Sequence, residues 1–286
     1  MTLYLGCPMW GLKTWVGGFF PTGTKPKEFL ATYSRRLNTV EGNTTFYALP
    51  DAATVERWRD ETPPGFRFCL KVPQEISHRK RLRQIDADLA AFTDRLQRLG
   101  DRCGPTFLQL PPSFNGQQFA ALQAFVEVWP RTFKLAIEPR HPDFFGQSST
   151  AQRFAALLQQ HNMAVCEFDT RGLRSNSVPV DSTVMEARQR KPDFAPTFVR
   201  PASFAFVRYC GHPQVDQNDV WLSEWAGHIG DWLKRGDDVY CFTHHPDDTH
   251  APDVARRLHG LIAKHNPLPE LPTWDKPPPQ QPSLFG

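Results

Sequence analysis

Phe133-Lys-Leu-Ala-Ile-Glu-Pro-Arg-His141 reads as a short buried strand over 133–138 that stops abruptly on polar groups. Leu135, Ala136 and Ile137 form an apolar run too short for a helix, and Pro139 terminates it. Glu138, Arg140 and His141 cluster where the strand ends. The same signature recurs along the chain, with further strands expected over 2–7, 38–42, 66–72, 105–110, 163–168, 203–208 and 238–243. Helical periods lie between them. In 26–37, Pro26 suits the first helical position, and Phe29, Leu30, Tyr33 and Leu37 share a face. In 85–99, Ile85, Leu89, Phe92, Leu96 and Leu99 repeat every three or four residues before Gly100. Further helices are expected over 220–235 and 252–264. Eight strands alternating with helices predict an α/β fold of the TIM-type (β/α)8 barrel. The competing doubly wound sheet is marked by a Gly-rich first turn, and neither G-x-G-x-x-G nor a P-loop pattern occurs.

Bulk composition narrows the function classes. The chain has 286 residues, 40% hydrophobic and 22% charged, with a net charge of +3. That is ordinary globular composition, neither disordered nor collagenous. The charge is too small for nucleic-acid binding by bulk electrostatics, so a polyanion contact needs a local patch. No run approaches about 18 apolar residues, and no membrane partner is expected. The start lacks a basic segment and Pro8 interrupts it, so no signal peptide is read and a cytoplasmic protein is expected. The six cysteines are widely spaced without a C-x-x-C pair, which argues for buried thiols. Prolines number 27, and seven fall in residues 266–286. The chain therefore divides into a barrel domain over 1–265 and a proline-rich, disordered C-terminal tail over 266–286.

In a barrel the C-terminal strand ends form the active face. Charge within an apolar strand is costly unless paired. Glu41, Lys71, Glu138 and Asp169 are therefore expected to converge in one pocket and share acid–base roles, with His78 and His141 as further proton-transfer groups. Asn43, Tyr47, Gln109, Arg140, Arg208 and His244 are the expected substrate contacts, the arginines as an anion clamp. The alternative is a structural salt-bridge network. His244-His-Pro-Asp-Asp-Thr-His250 has metal-binding residue types but no fixed ligand pattern. No metal ligand is assigned, no cofactor is required by the sequence, and a divalent metal stays open. His78-Arg-Lys-Arg-Leu-Arg83 is the densest basic run. Residues 170–202 form the longest structureless stretch, with six basic and three acidic residues, and read as a lid or binding loop. Together these favour a small anionic, phosphate-bearing or nucleic-acid-related ligand.

Several motifs resemble one family. Gly6-Cys-Pro-Met-Trp10 with Trp15-Val-Gly-Gly-Phe-Phe-Pro21 resembles the opening of the domain-of-unknown-function seventy-two, or YecE-like, family. Asn38-Thr-Val-Glu-Gly-Asn-Thr-Thr-Phe-Tyr-Ala-Leu-Pro50 and Phe66-Arg-Phe-Cys-Leu-Lys-Val-Pro73 with His78 are similar to it too. Gln109-Leu-Pro-Pro-Ser-Phe114 and Glu138-Pro-Arg-His-Pro142 complete the resemblance, which spans about residues 3–262. It implies a TIM-barrel-like fold and no particular reaction. Two places depart from the family pattern. The Arg-x-His-Gly after strand seven is here Arg208-Tyr-Cys-Gly211, and the Asn-Asn pair after strand eight is His244-His245.

The tail ends Gln281-Pro-Ser-Leu-Phe-Gly286. Gln281 to Phe285 resembles the bacterial sliding-clamp-binding pentapeptide, with Pro282 in place of a leucine. Gln281 suits a polar rim and the Leu284–Phe285 pair an apolar pocket. The expectation is an enzyme acting on an anionic substrate and tethered to the DNA sliding clamp, with a role in replication or repair. The alternatives are a non-catalytic clamp- and ligand-binding adaptor, and a metal-dependent barrel hydrolase or isomerase.

Overall fold

The computed structural model of the chain describes residues 1–274. Eight parallel strands carry the fold: β1 (Leu3–Gly6), β2 (Thr39–Gly42), β3 (Arg67–Leu70), β4 (Thr106–Gln109), β5 (Leu135–Glu138), β6 (Ala164–Asp169), β7 (Phe204–Cys210) and β8 (Asp238–His244). Each lies within two residues of its expected range at both ends. Six are paired in the order β1-β8-β7-β6-β5-β4, and β2 pairs with β3 in a second sheet. First strand against last is not the order of a doubly wound sheet.

The period of two along each strand sorts its side chains. Tyr4, Cys69, Phe107, Ala136, Cys166, Phe206, Tyr240 and Phe242, from seven different strands, pack into one shared interior cluster. From β2, Thr39 Oγ1 reaches Cys69 Sγ at 3.7 Å. The opposite faces pack against the helices in the larger outer core, which includes Leu5, Val40, Phe68, Leu108, Ile137, Val207 and Val239. Two seams interrupt the ladders. Between β3 and β4, Val72 donates to the Phe107 carbonyl and Gly104 to the Phe68 carbonyl, both at 2.9 Å. Between β1 and β2, the Asn38 amide bridges Leu5 N and Leu3 O, each at 2.8 Å, and Glu41 N donates to Cys7 O at 3.0 Å. The strands approach there so closely that a Cβ on Gly6 would meet the Thr39 carbonyl oxygen at 2.2 Å.

Nine helices cover the outside among the described residues: α1 (Phe29–Tyr33), α2 (Thr44–Tyr47), α3 (Ala52–Glu61), α4 (Asp86–Leu99), α5 (Phe119–Val128), α6 (Ser149–His161), α7 (Ser182–Arg190), α8 (Asp219–Lys234) and α9 (Ala251–Ala263). The expected face of α4 is buried as its periodicity requires, by Leu89, Phe92, Leu96 and Leu99, and α9 buries Val254, Leu258 and Ile262 at the same spacing. The helix expected over 26–37 is shorter, a 3-10 turn followed by α1.

The stretch 170–202 is not structureless. Asp181 accepts a hydrogen bond from Val184 N at 2.8 Å and starts α7. Val184 and Ala187 bury against Phe168, Leu173, Val178 and Cys210. That face is only two residues wide on an otherwise polar helix, which hides its period in the sequence. The first part of the expected tail also has a place. Trp274 is buried against Phe19 (ring centroids 5.1 Å apart) and beneath the Arg256 guanidinium. Arg256 also donates to the Trp274 carbonyl at 2.8 Å. Among the described residues, all six cysteines are free thiols and no helix is long and apolar enough to cross a membrane.

Candidate functional site

A cavity of about 850 Å³ opens at the C-terminal ends of the strands. The residues lining it follow from the interior phase of each strand. Continuing inward positions past Tyr4, Cys69, Ala136, Phe206 and Tyr240 leads to Pro8, Lys71, Arg140, Arg208 and His244, all of which line it. Glu41, Asn43, Gln109 and Phe168 do the same from β2, β4 and β6.

At its floor lies a closed charge network. The Arg208 guanidinium grips Glu41 through two parallel bonds, Nε to Oε2 at 2.8 Å and Nη2 to Oε1 at 2.7 Å. Its third nitrogen donates to Glu138 Oε2 at 2.5 Å. Arg140 Nε donates to the other Glu138 oxygen. Asn43 Nδ2 donates to Glu41 Oε1 at 2.6 Å, and His244 Nε2 lies 3.3 Å from Oε2. Burial alone would raise the Glu41 carboxyl, but Arg208 and His244 overcome it and hold it well below the usual carboxylate range. Burial opposes ionisation of Glu138 too, yet Arg140 and Arg208 bring it down to about 2. Arg208, which burial would lower, is held above its ordinary value by Glu41 and Glu138. Both carboxylates are thus fixed in the ionised form at neutral pH.

Lys71 is the contrast. Its backbone is pinned on both sides, N donating to the Gly42 carbonyl at 3.1 Å and O accepting from Thr45 Oγ1 at 2.7 Å. Its Nζ sits 3.9 Å from the centroid of the Phe46 ring and has no hydrogen bond or carboxylate partner among the described residues. Burial first, then the neighbouring Arg208, lowers its ammonium from 10.5 to about 8. His78 lines the same wall, edge-on to Phe46 and 2.9 Å from Ser77 Oγ. Burial, with Lys71 and Arg140 nearby, lowers it to about 4, so its imidazole is neutral at neutral pH.

The structure brings most of the expected residues together and separates two. Glu41, Lys71, His78, Asn43, Tyr47, Gln109, Arg140, Arg208 and His244 line the cavity, Tyr47 at its exposed rim, and Glu138 lies beneath them. Asp169 does not join them. It is one residue out of phase with the interior Phe168 and faces α8, where Arg171 and Trp225 Nε1 (2.8 Å) hold it. His141 also turns away and accepts from Asp143 N at 3.2 Å, capping a short 3-10 turn. The histidines after β8 diverge: His244 faces Glu41, His245 bonds Asp247 and the Pro213 carbonyl, and His250 bonds Asp253. Among the described residues no cluster of three or more His, Cys, Asp or Glu side chains is arranged to hold a metal ion. Gln281, Leu284 and Phe285 lie outside the described residues.

Arg190 and Lys191 belong to the six basic residues of the expected binding loop over 170–202, but the sequence does not single them out as site residues. They reach the cavity from the C-terminal end of α7. Five cations line the cavity (Lys71, Arg140, Arg190, Lys191 and Arg208) against two carboxylates, Glu41 and Asp248. Three of the five have carboxylate partners: Arg208 with Glu41 and Glu138, Arg140 with Glu138, and Arg190 with Glu186. Lys71 and Lys191 have none within 4.0 Å among the described residues.

Comparison with known proteins identifies the family. The model of the family described as "Protein of unknown function DUF72" matches residues 4–281. The chain is 33% identical over 283 residues to the UPF0759 protein YecE of Escherichia coli K12, covering 99% of this chain and 100% of that protein. It is 28% identical over 121 residues to the UPF0759 protein YunF of Bacillus subtilis, 40% of this chain and 41% of that one. A DUF72 family protein of Thermotoga maritima superimposes with a TM-score of 0.69 at 20% identity, over 92% of this chain and 99% of its own. One from Enterococcus faecalis gives 0.69 at 16% identity, over 98% and 99%. These structural matches carry the fold alone.

Proposed function

The chain belongs to the DUF72 family, and from that premise we propose that it is an enzyme of the (β/α)8 barrel type acting on a small anionic substrate. The hydrogen bonds across both seams and the shared interior cluster support reading the eight strands as one closed barrel. The observation that carries the functional reading is the pair of lysines on one cavity, Lys71 and Lys191, that bond no carboxylate among the described residues. Glu138 and Glu41 reach the buried Lys71 ammonium only through space and do not offset its burial, and an incoming anion supplies the direct partner. The fixed network beneath does different work. Glu41 and Glu138 stay ionised and are poor acids, so they orient Arg208 and Arg140 rather than move protons. Lys71 is left as the group whose proton affinity lies near neutral pH, with the neutral His78 a weaker base on the same wall.

Titration calorimetry with inorganic phosphate and 3-phosphoglycerate tests this reading. Lys191→Ala and Lys71→Ala should each weaken binding about tenfold or more, the loss of one charge-assisted contact. Wild-type protein that binds neither compound rejects the proposal. The clamp tether is a separate proposal resting on the terminal sequence. Sliding-clamp pull-down with full-length chain and with a form lacking residues 281–286 decides it, and equal retention ends it.

A further inference from the structure

We propose that Lys71 is a covalent-catalytic amine that condenses with the carbonyl carbon of an anionic aldehyde or ketone, the negative charge of which is met by Lys191. The inference rests on the anionic-substrate reading and specifies its chemistry. An amine nucleophile needs a lone pair, a fixed position and room for its electrophile. Lys71 has all three. Its Nζ projects into the 850 Å³ cavity, which accommodates a small metabolite. No carboxylate ties up its protons among the described residues. The main chain on either side of it is hydrogen-bonded to β2 and β4, through Gly42 O and by Val72 N to Phe107 O. Burial and the flanking Arg208 supply a desolvated, electropositive setting that favours the neutral amine, and the Phe46 ring fixes the position of the nitrogen 3.9 Å above it.

The step balances within the site. The Nζ lone pair forms a C–N bond as the carbonyl π pair moves to oxygen, which takes a proton. Nitrogen loses a proton, the new hydroxyl takes a second proton, the one the Lys71 ammonium gave up on becoming the free amine, and the nitrogen lone pair then expels it as water, leaving an iminium. His78, neutral and on the same wall, is placed to accept one of those protons and return it. The iminium carries positive charge, and the ionised Glu41 and Glu138 nearby offset it.

Trapping with cyanoborohydride, which delivers hydride to an iminium and fixes it as a secondary amine, is the test. The full-length protein is treated with glyoxylate, an anionic aldehyde, or with formaldehyde, an uncharged one, and each lysine is quantified by peptide mapping. Glyoxylate should convert Lys71 to carboxymethyl-lysine at least tenfold faster than the exposed Lys27 and Lys234. Inorganic phosphate should suppress that labelling. Lys191→Ala should lose the glyoxylate preference while formaldehyde labelling of Lys71 persists. Lys71→Arg should retain its fold by circular dichroism and yield no adduct at the site. Phosphate binding by calorimetry without preferential Lys71 labelling would overturn the covalent role and leave the anion site standing. Absence of both would overturn both. Lys71 labelling that phosphate does not suppress would remove the anionic substrate class.

Discussion

At the scale of single residues, the site divides into charges that are spent and charges that are available. Arg208 is spent: all three of its nitrogens serve Glu41 and Glu138 in the interior. Arg208→Met would leave Glu41 with only Asn43 and His244 and Glu138 with only Arg140, and removing one member of such a buried network costs about 3–5 kcal/mol. Chemical denaturation should show that loss, and adding Glu41→Gln and Glu138→Gln to the same chain should recover much of it. A full-strength fold in Arg208→Met alone would mean that the network is not structural. Lys71 behaves oppositely. Its ammonium releases its proton at about 8 when folded, against an ordinary 10.5. Between those values the unfolded chain holds a proton that the folded chain has lost, so stability from this group rises with pH across that window. Below about pH 8 both forms hold the proton, and burying the charge costs its full penalty. Lys71→Met keeps the packing on Phe46 and should stabilise the protein at pH 7 by about 1–2 kcal/mol, visible as a rise in Tm. The pH-dependent gain between 8 and 10.5 should flatten in the variant. A variant less stable than wild type at pH 7 would show that Lys71 is a structural cation.

At the scale of elements, α7 is the piece that makes the cavity electropositive at its rim. Its helix stands on one cap, Asp181 to Val184 N, and on two buried side chains, Val184 and Ala187. Its far end delivers Arg190 and Lys191. Asp181→Ala should cost about 1 kcal/mol, the usual worth of a cap. Because α7 is a small unit, the effect should be local opening, read as faster amide exchange over 182–190 with a global Tm nearly unchanged. Phosphate affinity should fall several-fold with it. Unchanged affinity would separate Lys191 from the ligand. This element also marks what the sequence hides. The strands were legible because a run such as Phe204-Ala-Phe-Val207 can only be buried, and Glu41, Lys71 and Arg208 stood out as charges inside such runs. The phase of each run was equally legible: Arg208 shares the parity of Phe206, and Asp169 breaks that of Cys166 and Phe168. Counting by twos from the apolar interior separates Asp169 from the site. The basic character of the 170–202 connection was legible, but which of its six cations meet the cavity was not, because that depends on a long connection folding back across a strand end. No local pattern encodes that return.

At the scale of the whole molecule, the two ends of the strand array have different tasks. The C-terminal ends carry Lys71, Arg140, Arg208 and His244 and keep a cavity open. At the other end, Met1, Leu3 and Asn38 face residues 267–272, which cross the strand starts beside α8. Trp274 pins that crossing, its ring on Phe19 and its carbonyl on Arg256. The proline spacing in Pro267-Leu-Pro-Glu-Leu-Pro272 keeps this segment extended, so that Leu268 and Leu271 can both reach the core. Residues 266–274 thus work as a fastener of the end remote from the chemistry, where stability can be built without constraining the cavity. Trp274→Ala removes a large buried ring together with its cation–π partner, and losses of about 3 kcal/mol follow from such truncations. The Tm should fall by about 6–12 °C at the scale of about 2–4 °C per kcal/mol for a domain of this size. Phosphate titration below the new transition should match wild type, because no site residue touches Trp274. A variant that keeps its Tm would show that residues 266–274 do not fasten the fold, and one that loses phosphate binding while still folded would show that the two ends are coupled.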